Sequence, residues 1–273
     1  MSKVALVTGG NQGLGLALVK GLANRLGPED VVYLASRSRE RGQQALEQIE
    51  MVNVEVRIIQ LDVTAPSSIT ALATHLKAEH GFVDIVASNA AARISKDRPQ
   101  AEQVRSFVET NNHGSRNLFG ALEPLLNANA RYLMVASSFG QLSRLPAHLH
   151  PLFDTDRLTL DDIEQSMDRY VEAMEEGTAI GISWPDWINI PSKIGQVATA
   201  RIAARDAPKG MLINAVCPGL MDTEASRPWF DDMSGALSTD DAAVPIVDLL
   251  LTPEDMSGPN GKLIQYGKVL PWV

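Results

Sequence analysis

Gly9, Gly13 and Gly15 stand between a short β-branched and apolar run, Val4 to Thr8, and an apolar periodic segment, Leu16 to Leu26. Glycine is needed where the backbone must turn with φ > 0, and where an anionic pyrophosphate must reach main-chain N–H groups at a helix N-terminus, whose partial charge is positive. Asn11, Gln12 and Leu14 fill out the turn. Strand, glycine turn and helix in that order predict a dinucleotide site. The spacing is T-G-x-x-x-G-x-G, not the G-x-G-x-x-G of many nicotinamide enzymes.

The second apolar run ends Ala35-Ser36-Arg37. An NAD site usually places a carboxylate here to accept the ribose 2′-OH, whereas a guanidinium pairs with a 2′-phosphate. No acid stands at this point, so Arg37, with Arg39 or Arg41 as a second cation, favours NADP. The plainer alternative is that these arginines are a solvated helix start.

The elements that must hold these residues follow from periodicity. Strands are expected at Val4 to Thr8, Val31 to Ser36, Val54 to Leu61, Ile85 to Ser88, Tyr132 to Ala136, Leu212 to Val216 and Leu263 to Tyr266. Helices are expected at Arg39 to Met51, Ser67 to His80, Glu102 to Leu126, Asp161 to Glu176, Ser192 to Asp206 and Asp240 to Leu251. This alternation predicts an α/β fold, a Rossmann-like doubly wound seven-stranded parallel sheet with helices on both faces. We expect one domain over residues 1–273, with an insertion at about 140–184 and a substrate lid at about 220–238, where Trp229, Phe230 and Met233 stand among acids.

Composition narrows the function classes. A hydrophobic content of 45% with 21% charged residues is ordinary for a globular protein, and no apolar run nears the roughly 20 residues of a membrane span. The formal net charge of −9, with no basic stretch beyond Arg37 to Arg41, argues against nucleic acid as a partner. The single Cys217 fits a reducing compartment, so a cytoplasmic location is expected. No metal is called for.

Together with the glycine turn, Ser183-Trp184-Pro185, Ser192-Lys193-Ile194-Gly195, Asn214 to Gly219 and the ending Gly261 to Trp272 make the chain resemble the short-chain dehydrogenase/reductase family, in its carbonyl reductase branch. The resemblance covers essentially the whole chain. It implies that Asp62, followed by Val63, meets the adenine, and that Asn89 underlies the cofactor, although the family's N-N-A-G reads S-N-A-A here. It further implies that Asn111 bends its helix and holds a water leading to the catalytic lysine. Ser138, flanked by Ser137, would bond the substrate oxygen, Lys193 would hold the nicotinamide ribose, and Pro218, Gly219 and Thr223 would meet the carboxamide. The insertion would cover the family's usual oligomer interface, which implies a monomer.

One departure stands at the centre of the chemistry. The family's Tyr-x-x-x-Lys would put a proton-donating tyrosine four residues before Lys193, and this chain has Asn189 there. An amide donates a hydrogen bond but releases no proton at neutral pH. Pro191 lies between the two positions, so Asn189 reads equally as a helix cap or pre-cap residue. None of Tyr33, Tyr132, Tyr170 and Tyr266 is close enough in sequence to repair the motif. The expected activity is NADPH-dependent hydride transfer to a C=O or C=N group of a small organic substrate, of secondary metabolism, with protonation arranged differently. A cationic C=N acceptor would need no acid, and the altered surroundings of Asn189 favour it. A redox-neutral isomerase or cyclase in the same pocket, and a cofactor-binding protein without catalysis, are the alternatives.

Overall fold

Four apolar residues in succession, Val4 to Val7, leave no alternating face for water, and β1 (Val4–Thr8), closed by Thr8, is buried along its whole length at the centre of a sheet. The computed structural model describes residues 2–50, 52, 54–253 and 257–273. Its strands are β1, β2 (Val31–Ser36), β3 (Glu55–Gln60), β4 (Val83–Ser88), β5 (Leu126–Val135), β6 (Leu212–Cys217), β7 (Leu263–Gln265) and β8 (Lys268–Leu270). The sheet order is β3-β2-β1-β4-β5-β6-β7-β8, all parallel except the β7–β8 hairpin. The seven expected parallel strands are present. The eighth, a three-residue antiparallel edge strand, carries too few residues to show a period.

Strands are added outward on one side as β1-β2-β3 and on the other as β4-β5-β6, so the carboxyl ends of β1 and β4 flank the crevice where such sheets bind ligands. Helices α1 (Gly13–Ala23), α2 (Arg39–Leu46) and α8 (Thr239–Leu250) cover one face. The other face carries α3 (Pro66–Glu79), α5 (Gly114–Leu122) and α7 (Asn189–Asp206). The expected end of the second helix, Met51, lies outside the described residues, and α2 stops at Leu46.

The single helix expected over Glu102 to Leu126 is broken into α4 (Val104–Val108), a π-helical turn at Glu109–His113, and α5. Asn and Gly are poor helix residues, and here they accompany a widened turn of the kind often found beside functional sites. The segment expected as an insertion holds α6 (Leu160–Glu175), opened by a capping box between Thr159 and Asp162. Its buried stripe of Ile163, Met167 and Tyr170 packs on α4 and α7. Polar contacts hold its acidic side, with His113 Nδ1 at 3.1 Å from Glu164 and the Arg105 guanidinium paired with Glu175 at 2.8 Å.

Candidate active site

The glycine turn is shaped for close approach. Gly9 and Gly13 have φ of +63° and +53°, in the left-handed region that favours glycine. A Cβ on Gly15 would lie 2.1 Å from the Gly9 carbonyl oxygen and 2.6 Å from Asn89 Nδ2. No side chain caps α1, and no acid stands in its first turn, so its leading N–H groups keep their capacity for an anion. Asn89 holds the turn from the next strand: its Nδ2 donates to the Thr8 carbonyl at 2.9 Å. The Thr8 hydroxyl in turn accepts from the Asn89 and Ala90 amides, each at 2.9 Å. Asn11 and Gln12 lie at the rim of the turn, and Leu14 is buried beneath it.

Arg37 and Asp62 follow β2 and β3, whose ends pair at Ser36 and Gln60. Burial raises the Asp62 carboxyl, but hydrogen bonds from the Thr64 amide and hydroxyl and the charge of Arg37 together hold it below its ordinary value. The Arg37 guanidinium is exposed and has no ion-pair partner among the described residues. Val63 is buried and fills the space beside Gly114 at the start of α5.

At the other end of the crevice, α7 begins with Asn189. The N-cap position belongs to Ile188, and Pro191 sits in the first turn, where a missing N–H does no harm. Asn189 therefore caps nothing; its half-buried amide has no partner among the described residues. One turn on, Lys193 Nζ donates to Gln196 Oε1 at 2.7 Å and to the Val135 carbonyl at 3.4 Å. Burial pushes this amine down to about 8, against a smaller opposing pull from Cys217. Ser138 opens a short 3₁₀ turn at the end of β5, half-buried, and Ser137 Oγ caps that turn by accepting from the Phe139 amide at 3.3 Å.

Asn111 lies inside the π-helical turn, its Oδ1 accepting from the Ala92 amide at 2.8 Å. Its neighbour Asn112, which the sequence reading passed over, binds α7 twice. Nδ2 donates to the Ser192 carbonyl at 2.8 Å, and Oδ1 accepts from the Ser192 hydroxyl at 2.7 Å. The signal was available, since two polar amides in succession inside a helix need buried partners.

Pro218 is buried, and Gly219 has φ of +86°. Thr223 Oγ1 lies 3.0 Å from Ser226 Oγ, a partner the sequence reading did not name. The segment expected as a lid is closed at its base, where Leu237 N donates to Leu220 O at 2.8 Å. Trp229 stacks on Trp187 with ring centroids 5.6 Å apart, and Trp187 meets Phe139 edge-on at 4.8 Å. An aromatic row thus runs from the residue after Ser138 to the segment above α7. Among the described residues no group of three or more His, Cys, Asp or Glu is placed to hold a metal, and no helix is long and apolar enough to cross a membrane.

A family profile for short chain dehydrogenases matches residues 3–146, just over half of the chain. The chain is a short-chain dehydrogenase. This short-chain dehydrogenase is 33% identical to carbonyl reductase [NADPH] 1 of Mus musculus over 98% of each chain. It is 34% identical to the human protein of that name, over the same share of both. Among solved structures it resembles salutaridine reductase from Papaver somniferum, with a TM-score of 0.78 and 26% identity over 96% of this chain and 99% of that one. Menthone neomenthol reductase from Mentha piperita gives a TM-score of 0.80 at 25% identity over 98% and 100% of the two chains.

Proposed function

We propose that the protein is an NADPH-dependent oxidoreductase that delivers hydride to a C=O or C=N group of a small organic substrate. The observation that carries the reading is the buried Lys193 amine below the Ser138 turn, in the same crevice as a glycine cradle that any added Cβ at residue 15 would fill. A protein that only sensed nucleotide would have no use for that amine. The nucleotide fits these residues, and when bound its reduced nicotinamide supplies the hydride. Gly9, Gly13, Gly15 and the start of α1 would hold the pyrophosphate, Asp62, Val63 and Asn89 the adenosine side, and Pro218, Gly219 and Thr223 the carboxamide. Lys193 would exchange its bond to Gln196 for the nicotinamide ribose, and Ser138 would fix the substrate oxygen.

Incubating the protein with NADPH and separate panels of ketones and cyclic iminium ions, while following cofactor absorbance, tests the reading. Turnover without cofactor oxidation would move the protein to redox-neutral isomerase or cyclase chemistry, which the absence of a phenol at Asn189 keeps in play.

Arg37 supplies the cofactor preference in this reading. The variant Arg37→Glu should weaken NADPH binding at least about tenfold, since a charge-assisted bond is worth roughly 1.5–3 kcal/mol, while NADH binding holds level or improves. Calorimetry showing unchanged NADPH affinity would remove Arg37 from the site.

The insertion bears on assembly. With α6 packed against it, α7 is buried on nearly every side and has no long free face to offer a second copy. The protein should therefore be a monomer, and light scattering that gives a dimer mass at micromolar concentration would overturn this. A cytoplasmic location accords with the one free thiol, Cys217.

A further inference from the structure

Three of the four tyrosines are out of reach of any substrate. Tyr33, Tyr132 and Tyr170 are at most 1% exposed. Burial raises the Tyr132 and Tyr170 phenols well above their ordinary value, and the Tyr33 hydroxyl lies 2.9 Å from His80 Nε2 under α3. Tyr266 differs on every count. It is 52% exposed and stands at the tip of the β7–β8 hairpin, on the carboxyl-end rim of the sheet. The register pairs Gln265 with Cys217, so Tyr266 emerges beside Pro218 and Gly219. β7 also lies against the 3₁₀ turn Ser138–Gly140. Its hydroxyl rests on Gly219 so closely that a Cβ there would be 1.8 Å from it.

The backbone adds an independent sign. Tyr266 has φ of +50° and Gly267 of +72°. A two-residue hairpin turn with both centres in the left-handed region ordinarily takes Asn-Gly or Gly-Gly. An aromatic residue in that first place is strained, and such strain persists chiefly where function holds it.

We propose that Tyr266 supplies the proton that the family's missing tyrosine would have given, donating its phenolic hydrogen to the carbonyl oxygen of a neutral ketone from the hairpin side of the cleft. The proposal rests on the hydride-transfer reading. As hydride from NADPH arrives at the carbonyl carbon, the C=O π pair moves onto oxygen. The Tyr266 O–H bond breaks to protonate that oxygen, and the phenolate is reprotonated from solvent. The products are the alcohol and NADP⁺. A phenol is a stronger acid than the alcohol formed, so the transfer runs downhill.

The test uses two bicyclic probes of like shape, 2-tetralone, which needs a proton, and N-methyl-3,4-dihydroisoquinolinium, which needs only hydride. Tyr266→Phe should lower kcat on 2-tetralone about a hundredfold, the low end of what a positioned acid contributes, and leave the iminium rate within about twofold. Calorimetry on the protein with NADP⁺ should show 2-tetralone binding about threefold weaker, the loss of one ordinary hydrogen bond. Asn189→Tyr alone should leave ketone turnover level or lower, yet in the Tyr266→Phe background it should restore at least about tenfold. Wild-type ketone turnover by Tyr266→Phe, equal losses on both probes, or a wild type that reduces only the iminium would each overturn the assignment. A wild type that oxidises NADPH with neither probe overturns the hydride-transfer reading itself, and the donor with it.

Discussion

Lys193→Met is expected to lower kcat/KM for NADPH-dependent reduction by roughly a hundred- to a thousandfold, the usual effect of removing one preorganised donor from a reaction centre, without destabilising the fold. The two effects have one cause. The amine is buried and pushed down to about 8 from an ordinary 10.5, so folding disfavours its charged form. A lysine whose folded value is depressed binds fewer protons folded than unfolded between those two values. The wild type is therefore penalised fully below pH 8 and gains stability as pH rises from 8 toward 10.5. Methionine has similar length and no charge, and removes the penalty while giving up the bonds to Gln196 and Val135. Its melting temperature should equal or exceed that of the wild type below pH 8, with the difference closing in alkali. The pH profile gives a second check: wild-type kcat/KM should fall above about 8 as the free enzyme's amine loses its charge. A strongly destabilised Lys193→Met protein, or an activity profile flat through that range, would show that the amine is structural.

Gly15→Ala should weaken NADPH binding by about a hundredfold or more, equivalent to roughly 2.7 kcal/mol, and should cost about 1–3 kcal/mol of stability as an overpacked site does. The added carbon would sit 2.1 Å from the Gly9 carbonyl oxygen, against main chain that cannot rotate away, and 2.6 Å from the Asn89 amide that holds the turn. Gly13→Ala is the control. Nothing lies within 4 Å of a Cβ there, so only its φ of +53° resists, at roughly 1–2 kcal/mol. Calorimetric NADPH affinities should therefore rank wild type, Gly13→Ala, Gly15→Ala in falling order, and a reversed order would mean that close packing does not define the cradle.

The parts of this molecule that the sequence makes plain are those set by local chemistry. The glycine turn, the alternation of buried strands with helices, and the departure at Asn189 can each be read within a few residues. Three things could not be read that way. The β8 edge strand is too short to carry a period. The bend at Asn111 is implied by the resemblance, but the bonds of Asn111 and Asn112 to Ala92 and Ser192, neighbours far off in the chain, are not visible in the residues around it. Tyr266 lies more than seventy residues from Lys193 in sequence, and only the parallel pairing of β7 with β6 brings it to Gly219.

The bonds from the Thr8 hydroxyl to the Asn89 and Ala90 amides span 81 and 82 residues of chain. A loop of that length must close before the glycine turn has its support, and contacts of such sequence separation form slowly. The cradle is thus expected to form late in folding despite being encoded in one short stretch near the start, and the nucleotide is then expected to give no template to the early chain. It stabilises only the finished protein, by mass action.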